Sequence, residues 1–305
     1  MIKNSIIAIT GPTATGKTQL AIKLATEING EIISVDSRQI YKELDIATAK
    51  PTLIERNKIR HHLIDIVNVT QEYTVADFCD DAKVKIKEII EKGKVPILTG
   101  GTGLYFRVLL QDFDLPRVAP NKELRDKLNN QSTEELYDLL LKLDKDIAQK
   151  IHFNNKVKII RALEVCITLG IPMSQAQRKK EKEYETLWYG LTSDNRDFLY
   201  NRANKRVDIM LDEGLINEAK LLFNKYDNNN ILLNTIGYQE IYPYLHGSIS
   251  LDEAISNLKQ NTRRYIKRQI SWFKANKEIH WIDIEKNSKE QVFAKIISNM
   301  NNCKE

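Results

Sequence analysis

Gly11-Pro12-Thr13-Ala14-Thr15-Gly16-Lys17-Thr18 decides the fold. It reads G-x-x-x-x-G-K-[ST], the P-loop pattern that cradles phosphates. The flanks agree with it. Ile6-Ile7-Ala8-Ile9 is a short apolar run suited to a buried strand. Leu20, Leu24 and Ile28 then recur at helical spacing until Asn29-Gly30 stops the helix. Gly11 and Gly16 let the backbone curl until successive N–H groups point inward, the helix start adds positive potential, and Lys17 supplies an ammonium. Thr18 offers its hydroxyl to a Mg²⁺ ion carried by the phosphates. Kinases, NTPases and some transferases share this cradle, so the loop specifies diphosphate or nucleotide binding and leaves the reaction open.

Outward from the loop, strands and helices alternate. Glu31-Ile32-Ile33-Ser34-Val35 reads as a second buried strand ending at Asp36-Ser37, and His62-Leu63-Ile64-Asp65-Ile66 as a third. Thr74-Val75-Ala76-Asp77 has capping-box form and opens a helix carried by Phe78, Ala82, Ile86 and Ile89. Val95-Pro96-Ile97-Leu98 is a fourth strand, running into Thr99-Gly100-Gly101-Thr102-Gly103. This alternation implies a parallel sheet in a three-layer α/β core of the P-loop NTPase kind. Ligands of such sheets collect beyond the carboxyl ends of the strands, where Gly11–Thr18, Asp36-Ser37 and Gly100–Gly103 all fall.

After Pro116 the pattern changes. From about Asn121 to Lys182 the chain reads as charged amphipathic helices, before Leu187-Trp188-Tyr189-Gly190-Leu191 resumes strand character. Residues 1–117 are therefore expected to form the first part of the core, 118–185 an all-helical insertion, and 186–305 the rest of the core with a basic C-terminal helix. At 305 residues, with 42% hydrophobic and 29% charged residues, the chain has the composition of a globular protein able to bury such a core. No stretch approaches the ~20 apolar residues of a membrane span, and Met1-Ile2-Lys3-Asn4 lacks a signal-peptide layout. Cys79, Cys166 and Cys303, odd in number and scattered, argue for a reducing cytoplasm and against a disulfide framework.

Three constellations carry chemistry. Asp36 reads either as a general base beside the bound phosphates or as an Asx turn after a strand; Ser37 and Gln39 offer hydrogen bonds to a base edge. Gly100-Gly101-Thr102-Gly103-Leu104-Tyr105 permits close backbone approach to a ligand, with Thr102 placed to bond a diphosphate or a reacting amine; a tight turn needing positive φ is the plainer explanation. The third is the helix around Lys259–Lys274. No acidic residue lies between Glu253 and Glu278. With Ile255, Leu258, Ile266, Ile270 and Phe273 as the buried stripe, Arg263, Arg264, Lys267 and Arg268 face outward. That is the footprint of an anionic polymer, although a solvated helix face would look similar. The net charge of +5 is mild, so this distribution matters more than the total. His61-His62 lacks the partner pair a zinc site needs, and Trp188, Trp272 and Trp281 read as core.

Taken together, these stretches resemble the tRNA dimethylallyltransferase (isopentenyl-tRNA transferase) family over nearly the whole chain. The resemblance adds Asp36-Ser37-Arg38-Gln39-Ile40-Tyr41, Ala47-Thr48-Ala49-Lys50-Pro51, His61-His62-Leu63-Ile64-Asp65, Arg161-Ala162-Leu163-Glu164, Ile236-Gly237-Tyr238-Gln239-Glu240 and Thr262–Phe273. It implies transfer of a dimethylallyl group from its diphosphate to the exocyclic amine of the adenine 3′ of the tRNA anticodon. Lys17, the loop amides and Mg²⁺ would stabilise the departing diphosphate, Asp36 would take the amine proton, and Thr102 and Arg125 would hold the reacting groups. The target base would be flipped toward Asp36. Asp36, Ser37, Arg38, Gln39, Thr102, Arg125, Lys158 and Arg161, with the basic helix, would contact the anticodon stem-loop, one monomer serving one tRNA. The chain departs from the family pattern at Asn154-Asn155 and Lys158, where Asn-Asp and Arg are usual, and its tail lacks a Cys/His finger, as in bacterial members. Competing readings are a small-molecule kinase using Asp36 and Asp65, a prenyltransferase of free adenine nucleotides, and a non-catalytic RNA-binding module.

Overall fold

Six short strands pair into one sheet in which every neighbouring pair is parallel. The structure is a computed structural model that describes residues 5–111, 113, 115–177 and 181–302. Met1-Ile2-Lys3-Asn4, Cys303 and Arg178-Lys179-Lys180, the end of the charged helical stretch, lie outside the described residues. Two compact units result, residues 1–110 with 183–305, and residues 111–182.

The first unit runs β1 (Ser5–Thr10), α1 (Lys17–Glu27), β2 (Gly30–Val35), α2 (Leu53–Lys58), β3 (His61–His62), α3 (Val75–Glu91), β4 (Val95–Gly100) and α4 (Gly103–Leu110). The second unit contributes α5 (Lys122–Asn129), α6 (Thr133–Leu143), α7 (Lys145–Ala148), α8 (Lys156–Leu169) and α9 (Met173–Ala176). The chain then returns to the first unit with β5 (Glu185–Thr192), α10 (Arg196–Asp212), α11 (Leu215–Lys225), α12 (Asn230–Leu233), α13 (Tyr238–Leu245), α14 (Leu251–Lys274), β6 (His280–Asp283) and α15 (Lys289–Asn302).

The strand order is β3-β2-β4-β1-β5-β6. Hence β1, which feeds the P-loop, is flanked by β4 and β5 and is buried on both faces, as its unbroken apolar run requires. Ile7, Ile9, Ile32 and Ile97 share one face and pack on Leu20, Ala21 and Leu24 of α1 and on Ile296 of α15. A separate helical core gathers Val207 and Met210 of α10, Leu222 of α11, Tyr238 of α13 and Leu258 of α14 around Ile40, Tyr41 and Leu44. That core anchors the long connection from β2 to α2, the segment that follows Asp36.

One local reading needs correction, and one helix was not read at all. The strand expected over His62–Ile66 stops at His62, because Leu63 (φ 60°) and Asp65 (φ 58°) are left-handed and turn the chain away. Ile66 N–H instead donates to Ile40 carbonyl at 2.8 Å. The segment around Gly237-Tyr238-Gln239-Glu240 opens a helix, α13, that Gly237 (φ 107°) and the internal Pro243 disguise.

The second unit has its own core of Leu128, Leu136, Leu140, Ile147, Ile159 and Leu163. A full capping box at Ser132–Glu135 starts α6. Its most buried charge is the Glu164 carboxylate. That group accepts from Asn121 N–H (2.7 Å), from Arg125 Nε and Nη2 (2.8 Å each) and from Arg161 Nη1 (2.6 Å).

Candidate active site

At the carboxyl ends of β1, β2 and β4 the first unit opens a cleft of about 780 Å³. Its walls include the P-loop, the Asp36–Gln39 turn, Gly100-Gly101, and side chains of α10 and α14. The P-loop geometry follows from its residues. Gly11 (φ 131°) and Gly16 (φ 90°) take left-handed backbone, and Ala14 (φ 63°) joins them. Gly11 also admits no side chain, since a Cβ would lie 2.3 Å from Leu191 carbonyl oxygen. Lys17 Nζ donates to Pro12 carbonyl at 2.6 Å. Burial, and then the charge of Arg206, lower the Lys17 pKa to about 7, with the Asp36 carboxylate pulling the other way.

Asp36 follows the last residue of β2. Its Oδ1 accepts from Arg38 N–H (2.9 Å) and Gln39 N–H (3.4 Å), an Asx turn. Oδ2 has no hydrogen-bond partner among the described residues. Thr102 braces this turn. Its Oγ1 accepts Ser37 N–H at 3.0 Å and donates toward Ser37 Oγ at 3.4 Å, while its own N–H donates to Val35 carbonyl.

Gln39 is committed within the protein. Its Oε1 takes the Ser34 hydroxyl, and its Nε2 donates to the carbonyls of Thr48 and Ala49. Both of its N–H donors are thus given to the Thr48-Ala49 wall of the cleft, and its Oε1, with a second lone pair, keeps acceptor capacity toward a base edge. Arg38 lines the cleft and donates to Asn234 carbonyl at 3.2 Å.

Arg206 of α10 is the residue the sequence reading missed. It lines the cleft, its own pKa is lowered by burial, and Asp36 is the main charge opposing that shift. Asp36, Lys17 and Arg206 thus lie within electrostatic reach of one another. One turn earlier on α10, Arg202 Nε donates to Ala14 carbonyl at 2.8 Å, and Arg202 also lines the cleft. The i, i+4 pair Arg202/Arg206 was the only sequence signal, and it looks like any solvated helix face.

On α14, Arg264, Lys267 and Arg268 are exposed as expected, and Arg268 lines the cleft. Arg263 departs from the expected outward row: half-buried, it donates to Asn204 of α10 at 2.9 Å. Lys259 pairs with Asp208 at 2.6 Å, so α10 supplies part of the negative charge that α14 lacks. Thr262 and Gln269 extend the buried stripe with polar side chains.

The remaining nominated residues belong to the second unit. Arg125 is held bidentate by Glu164, Arg161 shares that carboxylate and donates to Val118 carbonyl, and Lys158 is exposed on the first turn of α8. His62 Nε2 lies 2.7 Å from Glu31 and His61 Nδ1 lies 2.7 Å from Ile59 carbonyl. No group of three or more His, Cys, Asp or Glu among the described residues is arranged to hold a metal. Asp65 is paired with Lys50 and Arg56, both at 2.6 Å, which occupies the carboxylate a kinase reading would give to a metal.

Comparison with known proteins agrees with this geometry. A family model described as IPP transferase matches residues 39–276. The tRNA dimethylallyltransferase of Carboxydothermus hydrogenoformans is 45% identical over 304 residues, spanning 97% of each chain. That of Alkaliphilus oremlandii is 46% identical, covering 93% of this chain and 92% of its own. Among solved structures, the tRNA isopentenylpyrophosphate transferase of Bacillus halodurans superposes with a TM-score of 0.72 at 40% identity, covering 98% of both chains. A eukaryotic dimethylallyltransferase described as acting on tRNA gives a TM-score of 0.84 at 30% identity, over 98% of this chain and 80% of its own.

Proposed function

The chain belongs to the IPP transferase family, that of the tRNA dimethylallyltransferases, and from that premise we propose how its cleft carries out the reaction. The protein transfers a dimethylallyl group to tRNA. In our reading the donor is dimethylallyl diphosphate and the acceptor is the exocyclic N6 amine of the adenine 3′ of the anticodon. The observation that carries it is the meeting of a diphosphate cradle and a carboxylate in one cleft, with Lys17 and Arg206 within electrostatic reach of that carboxylate.

The steps follow from the charges. The adenine amine is a weak nucleophile, so the allylic carbon must develop positive charge before attack. The C–O bond to diphosphate breaks as the N–C bond forms, and the electron pair leaves with the diphosphate. Lys17, Arg206 and the loop N–H groups stabilise that developing charge. The amine then sheds a proton, for which Asp36 Oδ2 is the acceptor at hand. Thr102 acts through the turn, by holding Ser37 and so the direction of the carboxylate. A stacked base cannot reach this carboxylate, so the adenine enters flipped out of its stack.

The donor set suits Mg²⁺ that arrives with the substrate. The side-chain ligand at hand is the Thr18 hydroxyl on the first turn of α1, with no metal-holding cluster of His, Cys, Asp or Glu among the described residues; a hard cation gripped mainly by diphosphate oxygens needs no more. Once bound, it would spread the charge of the leaving group. In our reading one monomer serves one tRNA. The buried thiols of Cys79 and Cys166 suit a reducing cytoplasm.

Incubation with unmodified tRNA, Mg²⁺ and dimethylallyl diphosphate, followed by nucleoside mass spectrometry, tests the assignment. The expected product is dimethylallyl-adenosine at the position after the anticodon. Prompt phosphoryl transfer from ATP to a metabolite, or AMP turning over as well as tRNA, would replace it with one of the competing readings.

A further inference from the structure

Gln269 lies on the inner side of a helix whose outer side is basic. It is only 4% exposed, a position a primary amide tolerates when its polar atoms are paired. Its Oε1 accepts the N–H of Thr13 at 2.9 Å, and its Nε2 donates to the carbonyl of Gly101 at 3.1 Å. One partner belongs to the P-loop, the other to the glycine turn after β4. A single side chain from α14 therefore spans the two loops that frame the cleft.

The surroundings explain why this contact is so close. A Cβ at Gly101 would lie 2.2 Å from Gln269 Nε2, and one at Gly103 would lie 2.0 Å from the indole of Trp272. The glycines of this turn let α14 lie directly on it. Ile266 of α14 packs with Leu199 and Ala203 of α10 and with Ala14 of the P-loop.

The contact also sorts the loop's amides. Pro12 has no N–H, and the N–H of Thr13 is spent on Gln269. The run of N–H groups able to face an anion then begins at Ala14, in its left-handed conformation, and continues through Thr18. We propose that Gln269 is a positioning residue of the transfer reaction, tying the diphosphate cradle to the glycine turn and setting Ala14–Thr18 as the amides that face the leaving group. Although Gln269 lines the cleft, it acts through Thr13 and Gly101, the groups its amide holds. Because Thr102 is the next residue after Gly101 and braces Ser37, the same tie sets the distance from the cradle to Asp36. The chemistry assigned to these loops is that of the functional reading above, on which this inference rests.

Three variants separate positioning from mere packing. Gln269→Leu keeps most of the volume and loses both hydrogen bonds. Gln269→Glu keeps the acceptor, loses the donor and brings negative charge toward an anion site. Gly101→Ala leaves Gln269 in place and pushes its Nε2 away. Each is measured for hydrogen exchange in the peptide containing Thr13, for Mg²⁺–pyrophosphate affinity without tRNA, for tRNA affinity, and for kcat at saturating substrates.

Gln269→Leu should expose Thr13 to exchange, weaken pyrophosphate about tenfold, and lower kcat roughly ten- to a hundredfold, with tRNA affinity within about twofold. Gln269→Glu should bind pyrophosphate more weakly still. Gly101→Ala should move the same way as Gln269→Leu, and the double variant should be no worse than the worse single one, since both break one contact. If Gln269→Leu or Gly101→Ala lowers only the melting temperature and leaves kcat and pyrophosphate affinity within twofold, the proposal is overturned. Should the wild-type protein bind pyrophosphate yet prenylate no tRNA, the functional reading fails by itself. The exchange and pyrophosphate arms would then still decide the role of Gln269.

Discussion

Asp36 spends one carboxylate oxygen on its own turn. Position alone divided it between a base and a turn-former; the structure builds the turn with Oδ1 and leaves Oδ2 over. Lys17 is the residue whose protonation the cleft controls most. Its folded pKa is lowered to about 7 from an ordinary 10.5, so the unfolded chain binds the extra proton between those values. Holding the charged form therefore costs stability below pH 7, and the cost fades as pH rises from about 7 towards 10.5. An anion reverses the balance by favouring the ammonium. Binding of Mg²⁺–pyrophosphate at about pH 8 should draw up to roughly one proton from solution. Calorimetry in buffers of different ionisation heat would show it. The uptake should disappear in Lys17→Met; equal uptake by wild type and variant would remove Lys17 from the linkage. Arg206 escaped the sequence reading because its role comes from α10 crossing the open end of the sheet, a juxtaposition no local pattern encodes.

At the scale of elements, legibility followed periodicity. The strands β1, β2 and β4, and the helices α1, α3 and α14, announced themselves by apolar spacing and caps. The third strand shrank to two residues because left-handed Leu63 and Asp65 break an otherwise plausible apolar run. Helix α13 stayed hidden behind Gly237 and Pro243. For α14 the charge run was legible, but its compensation was not: Asp208 and Asn204 on α10 engage Lys259 and Arg263. The exposed cations Arg264 and Lys267 are thus better candidates for RNA phosphates than Arg263. Replacing Arg264 and Lys267 together by Gln should weaken tRNA binding and flatten its log–log salt slope by roughly one to two. An unchanged slope would mean that this face does not meet phosphates.

At the scale of the molecule, a P-loop sheet carrying a helical insertion was readable from where alternation stops and resumes. What the sequence could not display was how the insertion is held together. Glu164 is the centre of that answer: a fully buried carboxylate bound by two arginines and a backbone N–H. Although burial pushes its pKa up, Arg125, Asn121 and Arg161 together hold it below the usual glutamate value. Its contribution is therefore present above the unfolded pKa near 4.5 and is lost as pH falls through the lower folded value. Glu164→Ala, which strands two arginines, should destabilise the 111–182 unit by about 3–5 kcal/mol. Hydrogen exchange should locate the loosening in that unit, with Mg²⁺–pyrophosphate affinity of the other unit kept within about twofold. Protection lost equally in both units would show that they unfold as one.

The account depends on a carboxylate and a diphosphate cradle serving one reaction in a shared cleft. Single-turnover prenylation of saturating tRNA by Asp36→Ala, beside a tRNA-binding titration of the same variant, tests this most directly. The rate should fall at least about a hundredfold while tRNA affinity is largely kept. A variant that prenylates at the wild-type rate would contradict it.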